Sequence, residues 1–230
     1  MTTRRRTSSY ISGLIISLLL LPLCTAARTG KDDAASLKND STPLFRSVAV
    51  AVDVVGLGQI AFSDYGQYEA QLRVNLKDRW FPVVELGYGT CDTKDETTGN
   101  RYKTSAPYGR IGCDFNIMKN KHDIYRIYIG ARYAFTSFKY DIDNPRITDP
   151  VWHSSEELSA SNVSGNCHWY EAGGGIDVKI AGPLRLGWSV RYRGRLANKN
   201  GGVGKAWYVP GYGRNGTSRI GGTFNVIIEL

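Results

Sequence analysis

Beyond its first 26 residues the 230-residue chain lacks any apolar run near the about 18 residues that a membrane-spanning helix needs, which excludes a helical membrane protein. Low-complexity sequence is absent too, so a disordered chain is excluded, and one domain of about 200 residues is the natural reading. Charge of one sign is in small surplus, 29 Lys and Arg against 21 Asp and Glu. Three of the basic residues fall in a leader whose removal leaves +5, too mild to argue for nucleic acid. Cysteine is scarce. With Cys24 in the leader, Cys91, Cys113 and Cys167 remain, and an odd number cannot complete a disulfide framework. At most one bridge fits, with Cys91 and Cys167 the best-placed pair; the alternative is three small hydrophobes. Glycine, by contrast, is plentiful at 26 residues.

The leader reads as an export signal. Arg4, Arg5 and Arg6 form its positive end, Ile11 to Leu23 is the apolar run, and Cys24-Thr25-Ala26-Ala27 offers small residues for cleavage. Residues 1–26 are therefore expected to be cleaved, followed by a flexible polar lead-in over 27–43. Leu21-Pro22-Leu23-Cys24 resembles a lipoprotein box, but Leu23 stands where such boxes want a small residue.

From residue 44 onward, period-two alternation dominates. Val48, Val50, Val52 and Val54 alternate with Ser47, Ala49, Ala51 and Asp53, and Tyr68, Ala70, Leu72, Val74 and Leu76 alternate with polar partners. Six further segments, about 80–90, 108–118, 124–136, 168–180, 184–195 and 219–230, behave alike, predicting eight strands. One face of every strand is free of charge. The other carries Asp53, Glu69, Glu85, Asp114, Glu171, Asp177 and Glu229 against Arg73, Arg110, Arg126, Arg132, Lys179, Arg185, Arg191, Arg193, Arg195 and Arg219.

Two all-β barrels fit this pattern: a soluble lipocalin-like barrel with the apolar face inward around a ligand, and a transmembrane barrel with that face toward lipid. The connections favour the second. They run about 10, 3, 17, 4, 31, 3 and 23 residues, alternating long and short as in an up-and-down barrel with short periplasmic turns and long outer loops. Aromatic residues agree, with Trp80 and Tyr125 at the short-turn ends and Tyr68, Tyr88, Tyr133, Phe135, Tyr170 and Tyr192 near the other. Eight strands leave an interior that side chains fill, so Arg and Glu from opposite walls are expected to pair as a network; solute transport becomes an unfavoured function.

The leader, the eight strands and the final strand Gly222 to Leu230 resemble the small outer-membrane barrels of the OmpA-membrane-domain and OmpX type. The segment Trp207-Tyr208-Val209-Pro210-Gly211-Tyr212-Gly213 and the strand after it resemble an uncharacterised family of small Bacteroidetes barrels. One departure is the terminal Leu230, where many such proteins end in an aromatic residue. The resemblance implies the outer membrane of a Gram-negative bacterium. It also implies contact with outer-membrane lipid or lipopolysaccharide, and service as a membrane-embedded subunit of a larger envelope assembly, barrel assembly machinery included. Asp40-Ser41-Thr42 resembles a Bacteroidetes O-glycan acceptor, with a solvated linker as its simpler reading.

Chemistry is thinly signalled. His153 lies in the longest connection with Asp149, Ser154, Ser155, Glu156 and Glu157, from which a triad can be drawn but not a geometry. Trp152 beside it offers an aromatic docking anchor. Asp141, Asp143 and Asp149 lack the regular spacing of a calcium loop. Gly173-Gly174-Gly175 sits inside a strand with no helix following, and reads as room for a large neighbour instead of a phosphate cradle. The expectation is a structural or interaction barrel with no catalytic site and no cofactor. The rival classes are a narrow channel and an outer-membrane lipid-modifying enzyme.

Overall fold

A strand with one apolar and one charged face cannot satisfy both in an open sheet; closing the sheet separates the two environments. The computed structural model describes residues 43–95, 99–143, 147–148, 155–156, 159–200 and 206–230. The leader, the lead-in up to residue 42, Cys24 and Ser41 lie outside the described residues. Eight long strands form a closed barrel: β1 (Phe45–Asp53), β2 (Tyr65–Leu76), β3 (Trp80–Lys94), β4 (Arg101–Asn116), β5 (Tyr125–Asp143), β8 (Ala160–Ala181), β9 (Leu184–Asn200) and β12 (Ser218–Glu229). Their order around the wall is β1-β12-β9-β8-β5-β4-β3-β2, the antiparallel up-and-down arrangement that the alternation predicts. Two-residue ladders pair β6 (Ile147–Thr148) with β7 (Ser155–Glu156) and β10 (Tyr208–Val209) with β11 (Gly213–Arg214).

The apolar face points outward. Val84, Leu86, Ile111, Ile129, Trp188 and Val190 are exposed, while Glu85, Arg110, Asp114 and Arg191 are buried inside. The soluble lipocalin-like alternative requires the opposite and is not what the chain adopts. Tyr125 and Phe135 bound the apolar band on β5. Ten residues apart, they span about 34 Å of strand, or about 25 Å along the axis at a tilt near 40°, the height of a lipid-facing band.

Beyond this band the strands continue where the sequence reading expects loops. β3 and β4 leave only residues 95–100 between them, β5 runs on to Asp143, and β8 begins at Ala160. The reason is an inversion of the pattern. Arg101, Lys103, Ser105, Ser137 and Lys139 now point outward, and Tyr102, Ala106, Tyr108, Phe138 and Tyr140 point inward. Above the lipid the outer surface meets water, so these half-strands follow the soluble rule of polar outside and apolar inside.

The first connection also differs from expectation. Residues predicted as a strand end and an outer loop form a helix, α1 (Val54–Phe62). Asp53 caps it, accepting from Val55 N at 3.1 Å and Gly56 N at 3.2 Å, and also takes Phe224 N of β12 at 3.2 Å. β1 pairs with β12 only from Ala49–Glu229 to Asp53–Asn225, so β12 beyond that point has no strand on this side; α1 packs there, between β12 and β2. A charge-free helix satisfies its own backbone, which suits it to a barrel wall facing lipid.

Candidate functional site

Interior residues come from alternate positions of every strand, and the closed wall brings their charges together in one lumen. Glu85 faces three guanidinium groups, those of Arg110, Arg132 and Arg191, each at 3.0 Å. Arg110 also pairs with Glu69 and, at 3.0 Å, with Glu171, which Arg193 reaches at 3.2 Å. Arg132 continues the chain to Asp114 at 3.0 Å, and Arg73 links Asp114 to Asp177 at 3.2 and 3.0 Å. Arg185 pairs Asp177 with Glu229, and Arg126 pairs Glu229 with Asp78 at the short-turn end. An unbroken alternation of acid and base thus runs from Glu69 to Asp78. Buried charges are tolerated only when paired, and here nearly every carboxylate serves two or three arginines. Stacking adds to it: the Arg73 guanidinium lies 4.8 Å from the Tyr128 ring and that of Arg110 4.7 Å from Tyr108.

Above the network the lumen is stoppered by protein. The segment around β10 and β11 folds inward, and Ala206, Tyr208, Val209 and Tyr212 join Tyr102, Tyr108, Tyr140 and Trp169 in one buried cluster. Its carbonyls are tied down from the wall: Tyr102 Oη donates to Tyr208 O at 2.7 Å, Arg110 Nη2 to Gly211 O at 2.9 Å, and Arg193 Nη1 to Tyr212 O at 3.2 Å. Gly211 has φ +78°, and a Cβ there would meet the Tyr108 ring at 2.5 Å, so this turn needs glycine. The segment that carries the specific family resemblance is therefore the stopper. Burial pushes the Tyr208 phenol up to about 12.

Of the residues that parity assigns to the interior, Glu69, Arg73, Glu85, Arg110, Asp114, Arg126, Arg132, Glu171, Asp177, Arg191 and Arg193 stand in this network. Arg219 does not. It is half-buried at the outer rim, and its Nε donates to the Arg214 carbonyl at 2.7 Å. Arg195 likewise turns to Asn215, and Lys179 is exposed beside a register shift in β8. The β8–β9 register also shifts beside His168 and Trp169, where Leu196 of β9 is left without a partner, while alternation along β8 itself holds. His168 stays outside against Tyr133 Oη at 2.7 Å, while Trp169 turns inward and donates to Glu171 at 2.8 Å. Trp152 and His153, the docking candidates, lie outside the described residues.

Parity also missed members of the site. Asp78 belongs to a turn, yet its carboxylate takes Arg126, Arg46 and His122, the last at 2.6 Å. Its signal was an acid in a tight turn preceded by Asn75, whose Oδ1 accepts Asp78 N at 2.9 Å. Cys91, Cys113 and Cys167 are all free, so the bridge between Cys91 and Cys167 does not form. Gly175 makes room for Tyr128, whose hydroxyl lies 2.6 Å from where a Cβ would stand. Asp141 accepts Asn162 N at 2.7 Å, and among the described residues no three His, Cys, Asp or Glu side chains are placed to hold a metal.

A closed barrel with an apolar outer band and a charged interior is stable in a bilayer and not in water, so the chain is a transmembrane β-barrel of the outer-membrane type, its short turns facing the periplasm. The chain belongs to the family described as Domain of unknown function (DUF6048), whose model matches residues 7–229. No curated protein matches it. Similar solved structures include a major outer membrane protein from Thermus thermophilus, at 13% identity and TM-score 0.43, covering 80% of this chain and 98% of that one. Neisserial surface protein A is similar at 12% identity and TM-score 0.41, with 82% and 98% covered. Ail of Yersinia pestis, in complex with the heparin analogue sucrose octasulfate, is similar at 10% identity and TM-score 0.37, with 80% and 95% covered.

Proposed function

We propose that this barrel is a structural and docking module, the membrane-embedded subunit of a larger envelope assembly. The observation that carries the reading is the filled lumen under a built outer head. Ion pairs occupy the membrane level, an aromatic core continues above it, and the stopper segment is tied to both. Such a body has little room for a solute and resembles a rigid post, holding its outer connections and exposed polar half-strands at a fixed place above the bilayer. Rigid scaffolds that present loops are where partner recognition commonly resides. The partner class is another envelope protein, a second barrel or a lipoprotein, with barrel assembly machinery as one such setting.

The test is extraction from native membranes in mild detergent, comparing the whole chain with one lacking residues 145–158. One stoichiometric envelope protein recovered with the whole chain and lost with the deletion supports the reading. A barrel that elutes alone in both cases overturns it.

A further inference from the structure

The wall is interrupted beside β12. Because β1 stops at Asp53, the edge of β12 from Ser218 to Phe224 faces α1 instead of a strand. A cavity of about 270 Å³ opens at this place, and its lining comes from both sides of the wall: Gln67 and Arg193 from the lumen, Ile220 and Gly222 from the outer surface. Val55, Gln59 and Gly222 also border an apolar groove of about 970 Å³ on the lipid face, between Ile129, Trp188 and Phe224. The cavity and the lipid-face groove thus adjoin, sharing these three residues.

The lining of this cavity is mainly basic. Arg214 and Arg219 line the cavity, and the same two residues, with Arg195, line a neighbouring one of about 720 Å³ on the rim. Among the described residues none of these three arginines is ion-paired, whereas every arginine deeper in the lumen is. The Arg214 guanidinium is held 4.8 Å from the Trp207 ring and 5.9 Å from Tyr65. Arg219 spends its Nε on the Arg214 carbonyl, and among the described residues its two terminal nitrogens have no ion-pair partner. Asp53 is the carboxylate in the lining, and its oxygens are already taken by Val55, Gly56 and Phe224 N–H groups.

We propose that this opening is a lateral site for an anionic lipid of the outer leaflet, its phosphate on Arg214 and Arg219 and an acyl chain in the groove beneath. Guanidinium groups match phosphate oxygens in pairs, and the groove is continuous with the band that lipid already covers. The site does not depend on a protein partner.

The test uses native mass spectrometry of the full chain, released from micelles containing equal phosphatidylglycerol and phosphatidylcholine. The wild-type barrel is expected to retain phosphatidylglycerol about tenfold over phosphatidylcholine, equivalent to about 1.4 kcal/mol. That preference disappears in R214A/R219A and survives in R214K/R219K. Gly222→Phe fills the groove, since the nearest atom to a Cβ at that position is Ser189 O at 3.8 Å, and is expected to lower retention of both lipids. Heat-modifiable gel mobility checks folding, and the single variant Arg214→Ala substitutes if the double one does not fold. Equal retention of the two lipids by the wild type, a preference that survives removal of the arginines, or full retention by Gly222→Phe overturns the proposal. So does competition by free glycerol phosphate as effective as that of the lipid, which would make the site one for a soluble anion.

Discussion

Glu85 neutralises three arginines that have no route to water, whereas Glu69 pairs with one and takes Tyr108 Oη at 2.7 Å. Glu85→Ala therefore leaves more buried charge uncompensated, and is expected to cost about 3–5 kcal/mol. Glu69→Ala should cost clearly less. Urea midpoints of the refolded barrel, read from the mobility shift between folded and unfolded bands, give the comparison; equal losses would mean that the three pairs do not act together. On the opposite face of the same strand, Val84 is 43% exposed in the middle of the lipid band. Arg placed there should cost about 2–4 kcal/mol in the same assay, because a lipid-facing charge at midplane has no partner. No loss, with a barrel soluble without detergent, would place Val84 against water.

At the level of elements, α1 replaces strand pairing along the upper edge of β12, and Asp53 joins the two. Asp53→Ala removes the helix cap and the tie to Phe224 N together, so a destabilisation of about 1–2 kcal/mol is expected. Amide exchange should then rise selectively over 54–62 and 218–224; a uniform rise would deny the helix its role in sealing the wall. The extended half-strands alter what a protease can reach. Added to whole cells, it should cut within 95–100 and 144–159 but not within 101–108 or 160–167, where backbone groups are paired between strands. It should spare the periplasmic turns at Lys77–Arg79 and Gly182–Pro183. Cleavage at those turns would invert the orientation.

For the whole molecule, the acid and base chain from Glu69 to Asp78 and the stopper above it fill the lumen among the described residues, so no open conduction path is expected. Single-channel recording should show no stable open state, and a steady conductance whose selectivity changes in Arg191→Ala would restore the channel reading. The barrel itself was legible in the sequence, because a period of two with one charge-free face has few stable solutions, and because short and long connections alternate. Glu85, Arg110 and Arg191 could be assigned to the lumen from parity alone. Parity fails where its premise changes. It cannot see that the rule inverts once strands leave lipid, so Tyr102 and Tyr140 read as loop residues although they are core. It does not show the irregularity that leaves Leu196 of β9 unpaired, and it says nothing of a turn residue such as Asp78. Which acid meets which arginine, that Trp207 to Gly213 folds back as a stopper, and that a helix takes the place of a strand beside β12 were decided by closure. These contacts join residues far apart in the chain, and their geometry exists once eight strands share one lumen.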